Sequence, residues 1–197
     1  TEDPYFEGIL QEACQKAQVH FTEEVFSDNL VIQQWRQAYS KFKTKKGARS
    51  SIEALLKRVS QGREFNPINP LVDIYNSVSL SYAVPCGGED LEKIAGHLRL
   101  GKAKGGESFF PLGAESDAPA LPEEIIYYDD EGAVCRCLNW REAQRTMLTE
   151  ETKDAVLVIE AINAEQARRA RAAMEELQDL VKDYFGVHGK LVHLTSE

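Results

Sequence analysis

The sequence predicts an α+β fold, with helices first, then sheet, then a long closing helix. Three observations predict it. Apolar residues recur at helical spacing from residue 29 to about residue 82, the period shortens towards two from about residue 96, and helical spacing returns after Asn163. At 197 residues the chain can bury a core of its own. We expect one compact unit, with 1–62 forming an N-terminal helical segment that carries a basic stretch and 63–197 forming the main body.

Val31, Ile32, Trp35, Ala38, Tyr39 and Phe42 predict an amphipathic helix over about 29–43. Ser50 with Glu53 fits a capping box, and Ile52, Leu55, Leu56 and Val59 continue as a second apolar stripe. Asn69 is a good N-cap before Pro70, which suits a first helical position. In the helix that follows, Leu71, Ile74, Tyr75, Val78 and Tyr82 line one side and Asp73, Asn76 and Ser77 another, until Pro85 and Gly87-Gly88 stop it. "HLRLGKAK" alternates Leu98 and Leu100 against His97 and Arg99. "EIIYYDDEGAVCRCLNW" reads as a hairpin around Asp130-Glu131-Gly132, and "DAVLVIEAI" as a central strand. A looser linker runs from Gly113 to Pro122. Asn163 and Gln166 open a long helix carrying Ala170, Met174, Leu177, Val181 and Tyr184, closed by Gly186, and "KLVHL" is read as a short last strand.

Composition narrows the function classes. Hydrophobic residues make up 43% and no apolar run approaches the roughly 20 residues that span a bilayer, so no membrane association is expected. The N-terminus lacks the basic and apolar segments of a secretion signal, and Cys14, Cys86, Cys135 and Cys137 form no disulfide framework. Both point to the cytoplasm. A net charge of −9 opposes general phosphate binding, so DNA is not expected and any RNA contact must be local. The place for it is the basic stretch from Arg36 to Arg58, above all Lys41, Lys43, Lys45, Lys46 and Arg49.

Glu160 is the most informative single residue, because alternation gives it Val156, Val158 and Ile162 as neighbours. Buried, such a carboxylate becomes an acid, a base or a hydrogen-bond anchor; at the strand's end it is a solvated or salt-bridged surface acid. "VPCGGED" and "AKGGES" set glycines before Glu89, Asp90 and Glu107, which lets backbone approach a ligand or makes ordinary turns. Neither is a P-loop or a dinucleotide fingerprint, and no cofactor is expected. Cys135 and Cys137, read as one strand face, lack a second ligand pair, and the four histidines form no array, so no metal is expected. Asn139, Trp140 and Arg141 can stack a base and hydrogen-bond its edge, or Trp140 is core with Arg141 on the surface.

The stretches "VDIYN", "PCGGEDLEKI", "RLGKAKGGESFFPLG", "IIYYDDEGAV" and "TEETKDAVLVIEA" resemble, in order, the tRNA-editing B3/B4 domain of the bacterial phenylalanine-tRNA ligase beta subunit, over about residues 66–162. With "WRQAYSKF" and "SSIEALLKRV" upstream, the chain is similar to stand-alone proteins built on that domain. The resemblance implies an α+β fold with sheets packed against helices in β/β/α layers and a pocket between them. It also implies hydrolysis of mischarged aminoacyl-tRNA. The family's pattern places a Thr, a His and a Glu at positions that read here Tyr75, Gly87 and Glu160, with Asp73, Asn76 and Asp90 matching.

Three readings follow. The preferred one is trans-acting recognition or editing of aminoacyl-tRNA, with Glu160 catalytic and Asp73, Asn76, Glu89, Asp90, Glu107, Asn139, Trp140 and Arg141 around the aminoacyl end. The others are a non-catalytic RNA-binding module and a pocket for a free amino acid or small metabolite. A complete ligase is not expected, since no adenylating domain or nucleotide-binding motif is present.

Overall fold

The computed structural model describes residues 3–196, and among them the chain forms five α-helices and six strands. Three short helices come early: α1 (Pro4–Ala17), α2 (Leu30–Tyr39) and α3 (Ser51–Ser60). The sequence reading missed α1, although its signals are present. Asp3 accepts from the Tyr5 amide at 3.0 Å ahead of Pro4, and Phe6, Leu10, Ala13 and Ala17 bury one face. Ser50 does stand at the start of α3, but its side chain makes no capping bond. Glu53 is buried and accepts instead from Arg36 Nε at 2.6 Å, tying α3 to α2. The capping box fails because Glu53 finds a stronger, charged donor across the helix pair.

Helix α4 (Pro70–Tyr82) is the central post. Asn69 Oδ1 accepts from the Val72 amide at 3.0 Å, as expected, and the helix ends on Ala83 in the left-handed conformation at φ 50°. It packs between α1 and the long α5 (Ala164–Phe185), with Phe6, Ile74, Val78, Ala173 and Leu177 buried in one core. A second core lies between α2 and α3, around Ile32, Trp35, Ile52 and Leu56. Asn163 caps α5 by accepting from Gln166 N at 2.8 Å, and Gly186 closes it at φ 69°.

The strands form two antiparallel sheets. One has two strands, β1 (Cys86–Asp90) and β6 (Ala155–Ile159), paired from Cys86↔Ile159 to Asp90↔Ala155. The other runs β2 (Arg99–Lys102), β3 (Ile125–Tyr128), β4 (Ala133–Arg136) and β5 (Arg141–Glu142) in that order. The β3–β4 hairpin is where the sequence placed it. Three expectations are corrected. Gly87-Gly88 does not stop α4 but lies inside β1, and "DAVLVIEAI" is no central strand, because β6 has β1 as its one partner and is half-buried along most of its length. The apolar run is explained by packing on one side against the α1–α4–α5 core, where Leu157 and Ile159 lie. "KLVHL" is irregular and exposed, since no sheet edge reaches it. No described helix is long and apolar enough to cross a membrane.

Buried Arg136 and Glu124 hold the second sheet. Arg136 donates from Nε and Nη2 to the two Glu124 oxygens at 2.9 and 2.7 Å, and Glu124 also accepts from Cys137 N at 3.1 Å. Burial works to raise the Glu124 pKa, but the Arg136 fork and these amides leave it below the usual carboxylate range. That anchor fixes an uncommon turn: Cys137 and Leu138 are both left-handed, at φ 47° and 63°. Cys137 is therefore not on the strand face of Cys135, and the chain reverses to present Asn139 and Trp140 to the cavity described next.

Candidate functional site

A cavity of about 590 Å³ opens between α3, α4 and the two sheets. Helix α3 contributes Ser51 and Arg58, α4 contributes Tyr75 and Asn76, and β1 contributes Cys86 to Glu89. Tyr127, Arg141 and Glu142 come from the four-stranded sheet, Asn139 and Trp140 from its β4–β5 turn, and Glu160 from the residue after β6. Of the residues predicted from sequence, Asn76, Glu89, Asn139, Trp140, Arg141 and Glu160 thus share one cavity.

Asp73, Asp90 and Glu107 do not line it; each caps local backbone. Asp73 accepts from Ile68 N at 2.8 Å, Asp90 from Glu92 N at 3.0 Å and Thr152 Oγ1 at 2.8 Å, and Glu107 from the Lys104 and Gly105 amides at 3.0 and 2.8 Å. Lys41, Lys43, Lys45, Lys46 and Arg49 are exposed on the loop from α2 to α3, which leads into Ser51 on the cavity wall.

Glu160 is held by an oriented amide. The Tyr39 hydroxyl lies 2.9 Å from Asn139 Oδ1 and Ser51 N donates to the same oxygen at 3.2 Å. With its oxygen taken by the Ser51 amide, Asn139 turns Nδ2 to Glu160 Oε1, at 3.4 Å. The other oxygen, Oε2, is enclosed and has no hydrogen-bond partner among the described residues. Burial pushes the Glu160 pKa up to about 7, opposed by Asn139 and the neighbouring Tyr127 hydroxyl. The Ser51 hydroxyl and Arg58 Nε, from the α3 wall of the same cavity, are likewise enclosed and unpartnered among the described residues.

Trp140 is half-buried against the α2–α3 core while also lining the cavity. Arg141 lies over its ring, 4.6 Å from the centroid, within cation–π range.

Glu142 was not foreseen. It sits on the two-residue β5, opposite Cys135, and its Oε1 accepts from Gly88 N at 3.3 Å, joining the two sheets. A Cβ on Gly87 would stand 2.9 Å from that oxygen, so position 87 is open because Glu142 occupies the space a side chain would need. On the opposite face, a Cβ on Gly88 would lie 2.6 Å from Leu157 Cδ2. Glu89, two residues beyond Gly87 on the same face, accepts from Thr146 Oγ1 at 2.8 Å. Burial, then the Glu142 charge, pushes Glu89 up to about 9, and burial pushes Glu142 up to about 7. The reading passed over Glu142 because "REAQ" is polar on both sides; nothing local marks it, and its burial comes from the other sheet.

The cavity thus has the carboxyls of Glu89, Glu142 and Glu160 on its sheet side and Ser51 and Arg58 on its helix side. The chain belongs to the B3/4 domain family, whose model matches residues 34–186. Over 104 residues, 53% of the chain, it is 31% identical to the phenylalanine–tRNA ligase beta subunit of Fusobacterium nucleatum subsp. nucleatum; the match takes in 13% of that subunit's length. The motif order read from the sequence anticipated this membership.

Proposed function

We propose that the cavity receives the aminoacyl end of an aminoacyl-tRNA and that the protein acts in trans to hydrolyse mischarged esters. The observation that carries the reading is Glu160: a carboxyl on the wall of a cavity large enough for an aminoacyl group, with one enclosed oxygen left without a partner. The relative's printed name, a phenylalanine–tRNA ligase subunit, supports tRNA as the partner.

In this reading the Glu160 carboxylate takes a hydrogen bond from the attacking water and draws its proton as the water oxygen bonds to the ester carbonyl carbon. The bond to the ribose oxygen breaks, that oxygen takes up a proton, and free amino acid and tRNA leave. Glu160 is a base only when ionised, so the reaction speeds up as pH rises through about 7. Asn139 keeps the carboxyl aimed, and the exposed lysines of the α2–α3 loop contact phosphates that the acidic remainder repels. Deacylation assays over a panel of mischarged tRNAs test this, with Glu160→Gln expected to reduce turnover by about 100-fold or more.

One observation favours a second reading, a non-catalytic RNA-binding module. Gly87 and Tyr75 stand where the resembling editing domains carry His and Thr, and Glu142 fills the space a side chain at 87 would need. Salt-dependent tRNA binding with no deacylation of any substrate would select it.

A further inference from the structure

We infer that the cavity selects aminoacyl groups with a basic side chain, whose ammonium is held between Glu142 and Glu89; the inference rests on the aminoacyl-end reading above. Three carboxyls follow β1 in order. Glu160 lies at its start, where Glu160 N donates to Pro85 O at 3.3 Å; Glu142 lies over Gly87 and Gly88; and Glu89 comes next. From Cys86 to Glu89 the strand covers about 10 Å, room for an α-amino acid with the four-carbon stem of lysine.

No lysine or arginine among the described residues forms a salt bridge with any of the three. Arg145, the nearest cation to Glu89, is committed to Asp129 by bonds of 2.8 and 2.5 Å. Among the described residues Glu142 accepts a single hydrogen bond, from Gly88 N. Buried carboxyls without a counter-ion are costly, and a ligand cation relieves that cost. An aromatic or aliphatic side chain in the same place would deepen it.

The second, independent observation is the set of enclosed, unpartnered polar atoms on the same walls: Glu160 Oε2, Ser51 Oγ and Arg58 Nε. They leave these walls with polar groups that the described residues do not satisfy. Glu160, beside Asn139 and close to Ser51, serves the end where the ester and ribose lie. That leaves the Glu142–Glu89 end for the side chain.

The test measures binding of two hydrolysis-resistant amides to the full chain, 3′-(L-lysyl)amino-adenosine and its L-norleucyl counterpart, by calorimetry at pH 8. The lysyl analogue is expected to bind about ten- to a hundredfold more tightly, as one charge-assisted contact provides. Glu142→Gln, which keeps an acceptor for Gly88 N, is expected to bring the ratio near one, and Glu89→Gln gives an independent reading should that variant not fold. Equal or tighter binding of the norleucyl analogue by the unaltered protein overturns the side-chain assignment alone, as does a preference kept by both variants. If neither analogue binds, the aminoacyl-end reading fails and this inference with it.

Discussion

Glu142 shows how a single residue couples site and stability. Its carboxyl is pushed from an ordinary 4.5 up to about 7, so between these values the folded chain holds a proton that the unfolded chain has released. Stability contributed by the protonated group is present at acid pH and is lost as pH rises through that window; Glu89, raised to about 9, extends the loss upward. Glu142→Gln cannot ionise. It should therefore stabilise the ligand-free protein at pH 8 by roughly 1–3 kcal/mol and change little at pH 4, as read by denaturant unfolding at the two pH values. Equal effects at both would show that the carboxyl is not displaced by burial. The site residues differed in how readable they were. Glu160 stood out because it interrupts an apolar run, whereas Glu142 is buried only by a strand arriving from 54 residues away.

Among the elements, those governed by local chemistry were legible: α4 and α5 follow from Asn–Pro and Asn-x-x-Gln starts, and the β3–β4 hairpin from its turn residues. Elements decided by partners were not. The run of β6 looks central because hydrophobicity reports packing, and here that packing is against helices rather than neighbouring strands. Pairing also overrode the usual meaning of Gly-Gly, which became strand because both sides of β1 are crowded. The β4–β5 connection depends on the buried Arg136–Glu124 pair, which holds two left-handed residues in place. Arg136→Met leaves the Glu124 carboxyl buried without its cation and should cost about 3–5 kcal/mol, a fall in Tm of roughly 10 °C by calorimetry. An unchanged Tm would mean that the pair does not brace the turn.

For the whole molecule, a net charge of −9 and an exposed basic loop impose a direction on any polyanion. The loop leads into Ser51, so a phosphate chain gripped there ends near the cavity. Replacing Lys43, Lys45 and Lys46 with alanine should weaken tRNA binding and make the dependence of log K on log salt shallower by about two. A slope that stays the same would place the contact elsewhere.

The most direct measurement is the pH dependence of deacylation over a panel of mischarged tRNAs, for the unaltered chain and for Glu160→Gln. At least one substrate is expected to be hydrolysed well above the uncatalysed rate, with a rate that climbs through about pH 7 and a rise that disappears in the variant. Turnover no faster than buffer for every tRNA, or a variant as active as its parent, would contradict this expectation.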